Sequence, residues 1–342
     1  MNKMNIAVVG YGYWGPNLVR NFSWLTETHV KYVCDLDENR LEKVQALFPN
    51  VEITTTDYQQ ILDDPQITAV AIATPVGTHF PLAKAALEAG KHVLVEKPMT
   101  DKAEDAAALN ALARKMDRII MVDHTFLYTG AVKKIKELVD SGQIGDIYYF
   151  DSVRVNLGLF QNDVNVIWDL APHDLSIMKY IIGKKPVSVS ANGVSHVKNN
   201  LENIAYLSVF YDDSTFAHFH INWLSPIKVR QIMIGGSEKM IVYNDMENTE
   251  KIKVYDTGVE LNSGDKDLLY QALIQYRTGD MYAPKLDQTE ALKTECQHFV
   301  DCIRQGKSPI SDGEFGLEIV KILEAAQSSI KQQGKNIYLE EI

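Results

Sequence analysis

The sequence predicts an α/β chain: a doubly wound parallel sheet followed by an α+β domain with a large, mainly antiparallel open sheet. Three observations predict it. A glycine-rich turn, Gly10-Tyr11-Gly12-Tyr13-Trp14-Gly15, follows the apolar run at residues 6–9 directly. Short apolar runs then alternate with helix-patterned stretches up to about residue 122, the rhythm of parallel strands joined by crossover helices. After Asp123 the pattern changes to strand-like runs punctuated by turn residues such as Asp212-Asp213 and Gly235-Gly236, as antiparallel pairing requires.

Taken in order, the first part places strands at residues 5–9, 29–34, 69–73, 92–95 and 119–122. Helices start near residues 16 and 38 and span residues 81–89 and 103–115. The second part places helices at residues 130–141 and 168–182 and strands at 147–155, 187–192, 204–211, 215–223, 229–234 and 239–243. Two further helices are expected at 289–304 and 317–333, where Leu292, Phe299 and Ile303 recur on neighbouring faces. The expected division is residues 1–122 and 123–342.

A chain of 342 residues, 46% hydrophobic, is long enough for two cores. With 34 Lys and Arg against 45 Asp and Glu, the net charge of -11 repels a nucleic-acid backbone, and no basic patch offsets it. The N-terminus has no apolar stretch leading to a small-residue cleavage site, and no apolar run reaches a membrane-spanning length. Cys34, Cys296 and Cys302 are widely spaced and frame neither a disulfide scaffold nor a zinc site, so no metal is expected and a reducing cytoplasm is.

Gly10, Gly12 and Gly15 form a G-x-G-x-x-G between strand and helix. The first permits the tight turn, the second lets a pyrophosphate approach the backbone, and the third allows close packing. The helix N-terminus offers unpaired N–H groups to phosphate. The second strand ends in Asp35, where a carboxylate accepts from the adenosine ribose hydroxyls and repels a 2′-phosphate. Together they predict a Rossmann domain that takes NAD in preference to NADP. A solvated acidic turn is the alternative for Asp35, and Asp37 is a second acid nearby.

Two later segments carry chemistry. Ala73-Thr74-Pro75 and Val95-Glu96-Lys97-Pro98 end strands at the carboxyl edge of the sheet, where ligands bind. Lys97 there can hydrogen-bond a substrate hydroxyl and favour a developing alkoxide. A Glu-Lys surface pair is the bland alternative. Trp168-Asp169-Leu170-Ala171-Pro172-His173 spaces an acid and a histidine one helical turn apart, unless the helix starts only at Pro172. A histidine is the natural acceptor for a hydroxyl proton near neutrality, and a structural histidine is the competing assignment.

These motifs, G-Y-G-Y-W-G, the acid ending the second strand, A-T-P-x-x-x-H, E-K-P and D-x-x-x-H, resemble the glucose-fructose oxidoreductase and inositol dehydrogenase family (Gfo/Idh/MocA) over essentially the whole chain. The resemblance implies that Lys97 and His173 carry catalysis with Asp169 assisting. It also implies that Tyr13, Trp14, Thr74, Pro75, His79, Glu96, Lys97 and His124 join Gly10, Gly12, Gly15 and Asp35 around the cofactor. Ala171 departs from the glycine frequent at that position. Within the family, the stretch at 12–17, residues 156–173 and Gly279-Asp280 with Pro284 are similar to members acting on nucleotide-linked sugars, notably UDP-N-acetylglucosamine and UDP-N-acetylglucosaminuronate 3-dehydrogenases.

By position, Arg154, Asn156, Phe160, Gln161, Asn165 and Trp168 are expected to face substrate beside Lys97, Asp169 and His173. Arg154 is the nearest cation for a diphosphate or carboxylate, with a cross-strand ion pair as its alternative role. Phe160 and Trp168 have core packing as theirs. The expected activity is hydride transfer between NAD and a secondary hydroxyl of a nucleotide-linked sugar, at C3. The alternatives are a free polyol or monosaccharide dehydrogenase or ketoreductase, and a non-catalytic NAD-binding regulator. No nucleic acid or membrane partner is expected. The resemblance, with an open sheet face, implies a homodimer or homotetramer.

Overall fold

A computed structural model describes residues 3–158, 164–197, 201–261 and 274–342. The chain forms two compact units, Met1–Tyr128 with Thr289–Glu324, and Thr129–Gln288 with Ala325–Ile342.

In the first unit, strands β1 (Met4–Val9), β2 (Thr28–Cys34), β3 (Ile53–Thr55), β4 (Ile67–Ile72), β5 (His92–Glu96) and β6 (Ile120–Asp123) make one parallel sheet of order β3-β2-β1-β4-β5-β6. Helices α1 (Gly15–Trp24), α2 (Glu38–Leu47), α3 (Gln59–Asp63), α4 (His79–Glu88) and α5 (Ala103–Met116) connect them. The central strands read as continuous apolar runs because both faces are covered: Ile6, Ala7 and Val8 are fully buried in β1, as are Val70, Ala71 and Ile72 in β4. The order reverses at β1 and β4, and ligands bind at such a switch point beyond the carboxyl ends of the strands.

In the second unit, α6 (Gly130–Asp140), β7 (Ile147–Leu157), α7 (Val166–Ile182), β8 (Ser188–Val194), β9 (Ile204–Phe210), β10 (Phe216–Asn222), β11 (Leu224–Gly236), β12 (Met240–Asn244), β13 (Ile252–Leu261) and β14 (Ile274–Tyr282) follow in order. The nine-stranded sheet runs β14-β13-β12-β11-β7-β10-β9-β8-β15, where β15 is Ile337–Tyr338. All its pairs are antiparallel except β7 with β10. Alternate residues Ala205, Leu207 and Val209 of β9 and Ala217, Phe219 and Ile221 of β10 are buried on the face that α7 covers. On the other face Tyr206 stacks on His220 with ring centroids 4.6 Å apart and stays 46% exposed.

Three features differ from the sequence expectation. Helix α8 (Ala291–Gln305) and most of α9 (Gly313–Lys331), expected beyond residue 122 with the second domain, belong to the first unit. Position along the chain does not reveal a segment that returns. Strand β3 is only three residues long, and β13 and β14 were also not anticipated. In β13 the alternation is nevertheless present, with Ile252 and Val254 buried between the half-buried Lys253 and Tyr255. All three cysteines are free and buried, and no described helix is long and apolar enough to cross a membrane.

Candidate active site

The glycine turn is built as its spacing requires. Gly10 has φ +92°, and a Cβ there would collide with the Ala73 carbonyl oxygen at the end of β4. A Cβ on Gly15 would strike the Gly10 carbonyl, so this third glycine closes the turn on itself. At Gly12 the sole neighbour of a Cβ is Arg40 Nη1 at 3.6 Å, which leaves open backbone where a pyrophosphate can approach. Pro16 stands in the first turn of α1, and Trp14 at the N-cap makes no side-chain cap bond, so no capping side chain occupies the helix N-terminus. A cavity of about 400 Å³ beside the turn is lined by Tyr11, Gly12, Tyr13, Pro16, Arg40, Lys43 and Leu47. Arg40 and Lys43 carried no signal in the motif and were missed.

Asp35 is 9% exposed and held in place. Its Oδ2 accepts from the Tyr11 backbone N–H at 2.6 Å and from Arg40 Nη1 at 3.3 Å, and its Oδ1 accepts from the Asp37 N–H at 2.9 Å. Asp37 caps α2 by accepting from the Asn39 N–H, so the second acid has a structural task. The open turn, the fixed acid and the free helix N-terminus fit a dinucleotide.

The loops after β4 and β5 are tied together by His79, 1% exposed, whose Nδ1 lies 2.9 Å from the Pro98 carbonyl and Nε2 2.8 Å from the Thr74 carbonyl. The Thr78 hydroxyl lies 2.7 Å from both the Thr74 hydroxyl and the Pro75 carbonyl, donating to the carbonyl and accepting from the hydroxyl. His79 therefore acts through the loops and offers no ring nitrogen to a ligand. Lys97 is half-buried behind Glu96, whose carboxyl is raised well above its ordinary range by burial and by the Asp123 charge. The Lys97 charge acts against that rise. His124 is 2% exposed, packs on Phe315 and has both ring nitrogens without a hydrogen-bond partner. Burial, with the Lys97 charge adding, pushes its pKa down to about 3, so it stays neutral. Trp14 turns its indole N–H onto Asp123 Oδ2 at 2.7 Å, inside the protein.

In the second unit α7 starts at Val166, and Pro172 is interior. Asp169 and His173 thus lie one turn apart on one face, and both are half-buried. Trp223, 1% exposed at the end of β10, donates its indole N–H to Asp169 Oδ2 at 3.1 Å, a contact that spacing could not reveal across 54 residues. Lys97 is described in the first unit, and Asp169 and His173 in the second.

Two substrate candidates are corrected. Arg154 is 4% exposed, and its Nε and Nη2 engage Asp174 at 2.9 and 2.6 Å, with Ser152 donating to the same carboxylate. Its fork holds α7 to β7. Asn165 is the N-cap of α7, accepting from the N–H groups of Ile167 and Trp168, while its amide donates to Glu202 and Gln327. No polar atom of it is left over. Asn156 and Trp168 are half-buried, and Phe160 and Gln161 lie outside the described residues.

Residues 4–124 match the model of an oxidoreductase family with an NAD-binding Rossmann fold, and residues 132–242 match the GFO/IDH/MocA C-terminal domain. The chain belongs to the Gfo/Idh/MocA oxidoreductase family. It is an oxidoreductase with NAD as cofactor. A myo-inositol 2-dehydrogenase of Thermotoga maritima is 25% identical, the match covering 99% of each chain. A UDP-N-acetylglucosamine 3-dehydrogenase of Acidithiobacillus ferrooxidans is 24% identical over 94% of this chain and 95% of its own. A levoglucosan dehydrogenase solved with NADH and L-sorbose shares the fold, with a TM-score of 0.83, 20% identity and 99% coverage of both chains.

Proposed function

We propose that the protein oxidises a secondary sugar hydroxyl at C3 of a nucleotide-linked N-acetylhexosamine or its uronate, or reduces the corresponding ketone. The observation that carries the reaction class is the Asp169–His173 pair on one helix face, with the carboxylate oriented by the buried Trp223. The cofactor, when bound, supplies the hydride acceptor. Gly10, Gly12, Gly15 and Asp35 of the first unit hold it, with Thr74, Pro75 and Glu96 at the edge of the same sheet. His173 takes the hydroxyl proton at its imidazole, Asp169 orients that ring, and the Lys97 ammonium stabilises the alkoxide-like oxygen. In the reducing direction the proton returns from His173.

The C3 position and the nucleotide handle rest on similarity of residues 12–17 and 156–173 to nucleotide-sugar enzymes. A second reading, a free polyol or monosaccharide substrate, is favoured by Arg154: its guanidinium is spent on Asp174 and is not offered to a diphosphate. We also infer a homo-oligomer, supported by Tyr206 and Phe216, which are 46% and 36% exposed on the open sheet face. NADH formation on a panel of UDP-sugars, free inositols and aldoses decides the substrate. Turnover on UDP-sugars alone supports the first reading, turnover on free polyols alone replaces it with the second, and an inert, NAD-saturated protein refutes both. His173→Ala should lower kcat on the active substrate by about 10² to 10⁴-fold, the usual weight of acid–base help.

A further inference from the structure

Three carboxyls meet inside the first unit. Glu96 and Asp123 are register partners across β5 and β6, and Glu295 reaches them from α8. Glu295 is 0% exposed, and neither of its oxygens has a hydrogen-bond donor at bonding distance. The groups it faces are the Asp123 carboxyl and the Thr125 hydroxyl. That hydroxyl is already donated to Asp123 Oδ1 at 2.5 Å, while Trp14 Nε1 donates to Oδ2.

An ionised carboxylate without a partner costs several kcal/mol to bury, and three together are worse. Asp123 has a donor on each oxygen, so the negative charge is stabilised there. Two carboxyl groups that face each other without a donor between them repel unless one carries a proton. We propose that Glu295 is a positioning residue for the dinucleotide turn: protonated, it donates to Asp123 and keeps that carboxylate aimed at the indole of Trp14, between Gly12 and Gly15. A helix from the far end of the chain thereby completes the nucleotide-binding unit. The proposal depends on NAD binding and on nothing in the sugar chemistry.

The titratable groups around Glu295 are Asp123 of β6, Tyr128 of the following turn, Glu96 of β5 and Cys296 of α8. Lys97 faces Glu96, while Arg20 of α1, paired with Glu290, faces Cys296. Burial first, and the Asp123 charge second, raise the Glu295 carboxyl well above its ordinary range. An acid raised on folding stabilises the fold less as pH climbs from the unfolded value to the folded one, because the unfolded chain loses its proton first. Above the folded value the proton is gone and the carboxylates repel.

The test is NAD affinity by calorimetry, with Tm alongside, in the whole chain at a series of pH values rising from neutral through the alkaline range in which it stays folded. Glu295→Met fills the space without a donor. It should keep or raise Tm, since apolar replacement of a buried acid is often stabilising, yet weaken NAD by about ten-fold or more, equivalent to about 1.4 kcal/mol. Glu295→Gln keeps a donor and should bind NAD more tightly than Glu295→Met. Its Tm advantage over the wild type should grow with pH, and the alkaline loss of NAD affinity in the wild type should vanish. Trp14→Phe should weaken NAD too, and the Trp14→Phe/Glu295→Met double variant should lose no more than the worse single one. Wild-type affinity in Glu295→Met, the same alkaline loss in Glu295→Gln, or multiplying losses in the double variant would each overturn the proposal. If Glu295→Met does not fold, Glu295→Gln and Trp14→Phe still decide it.

Discussion

At Asp35 three donors converge on one carboxylate: two backbone N–H groups and the Arg40 guanidinium. Each oxygen thus enters cofactor binding already oriented, so little order remains to be imposed when ribose hydroxyls arrive. Asp35→Ser should weaken NAD and relax discrimination against NADP, because the hydroxyl neither accepts as strongly nor repels a 2′-phosphate, while Arg40 remains to meet one. Titration of both cofactors checks this, and an unchanged preference would remove Asp35 as the ribose reader. At this scale the sequence was informative where chemistry and spacing coincide: Gly10, Gly12 and Asp35 sit where a strand, a turn and a helix force them. It was uninformative where a side chain has two plausible partners. Arg154 and Asn165 read as substrate contacts because both are polar and precede the Asp169–His173 segment, and burial then gave them to Asp174 and to the N-terminus of α7.

Helix α7 shows what those two residues do. Asn165 closes its first turn, Gly183 ends it in the left-handed region with φ +69°, and Pro172 is tolerated inside it. Its rotation about its own axis is fixed by Asp174, which receives Ser152 and both arms of the Arg154 fork from β7. The residue beside Asp174 is His173, so this ion pair sets which way the histidine faces. Removing one partner leaves a buried charge alone, and Asp174→Ala should cost about 3–5 kcal/mol of stability. Replacing both with apolar residues, Arg154→Met with Asp174→Leu, should restore much of it. Chemical denaturation of the three proteins measures this, and a single variant as stable as the wild type would contradict the clamp. The helix itself was legible in the sequence within two residues at its start, whereas its clamp joins positions 20 residues apart and leaves no periodic trace.

Over the whole molecule, parallel strands buried on both faces and antiparallel strands buried on one give different sequence rhythms, which is why the two-part α/β and α+β organisation could be read in advance. The return of Thr289–Glu324 to the first unit could not, because an amphipathic helix does not specify which core its apolar face will meet. The carboxyl trio of Glu96, Asp123 and Glu295 was hidden for the same reason. The proposed reaction moves a hydride from C3 of a nucleotide-linked sugar to NAD while His173 holds the hydroxyl proton. The most direct measurement is the mass of the NADH formed from UDP-N-acetylglucosamine, or its uronate, carrying deuterium at C3. The account predicts NADH heavier by the one transferred deuterium, formed by the wild type and lost with His173→Ala. Unlabelled NADH, or labelled NADH made equally fast by His173→Ala, would contradict it.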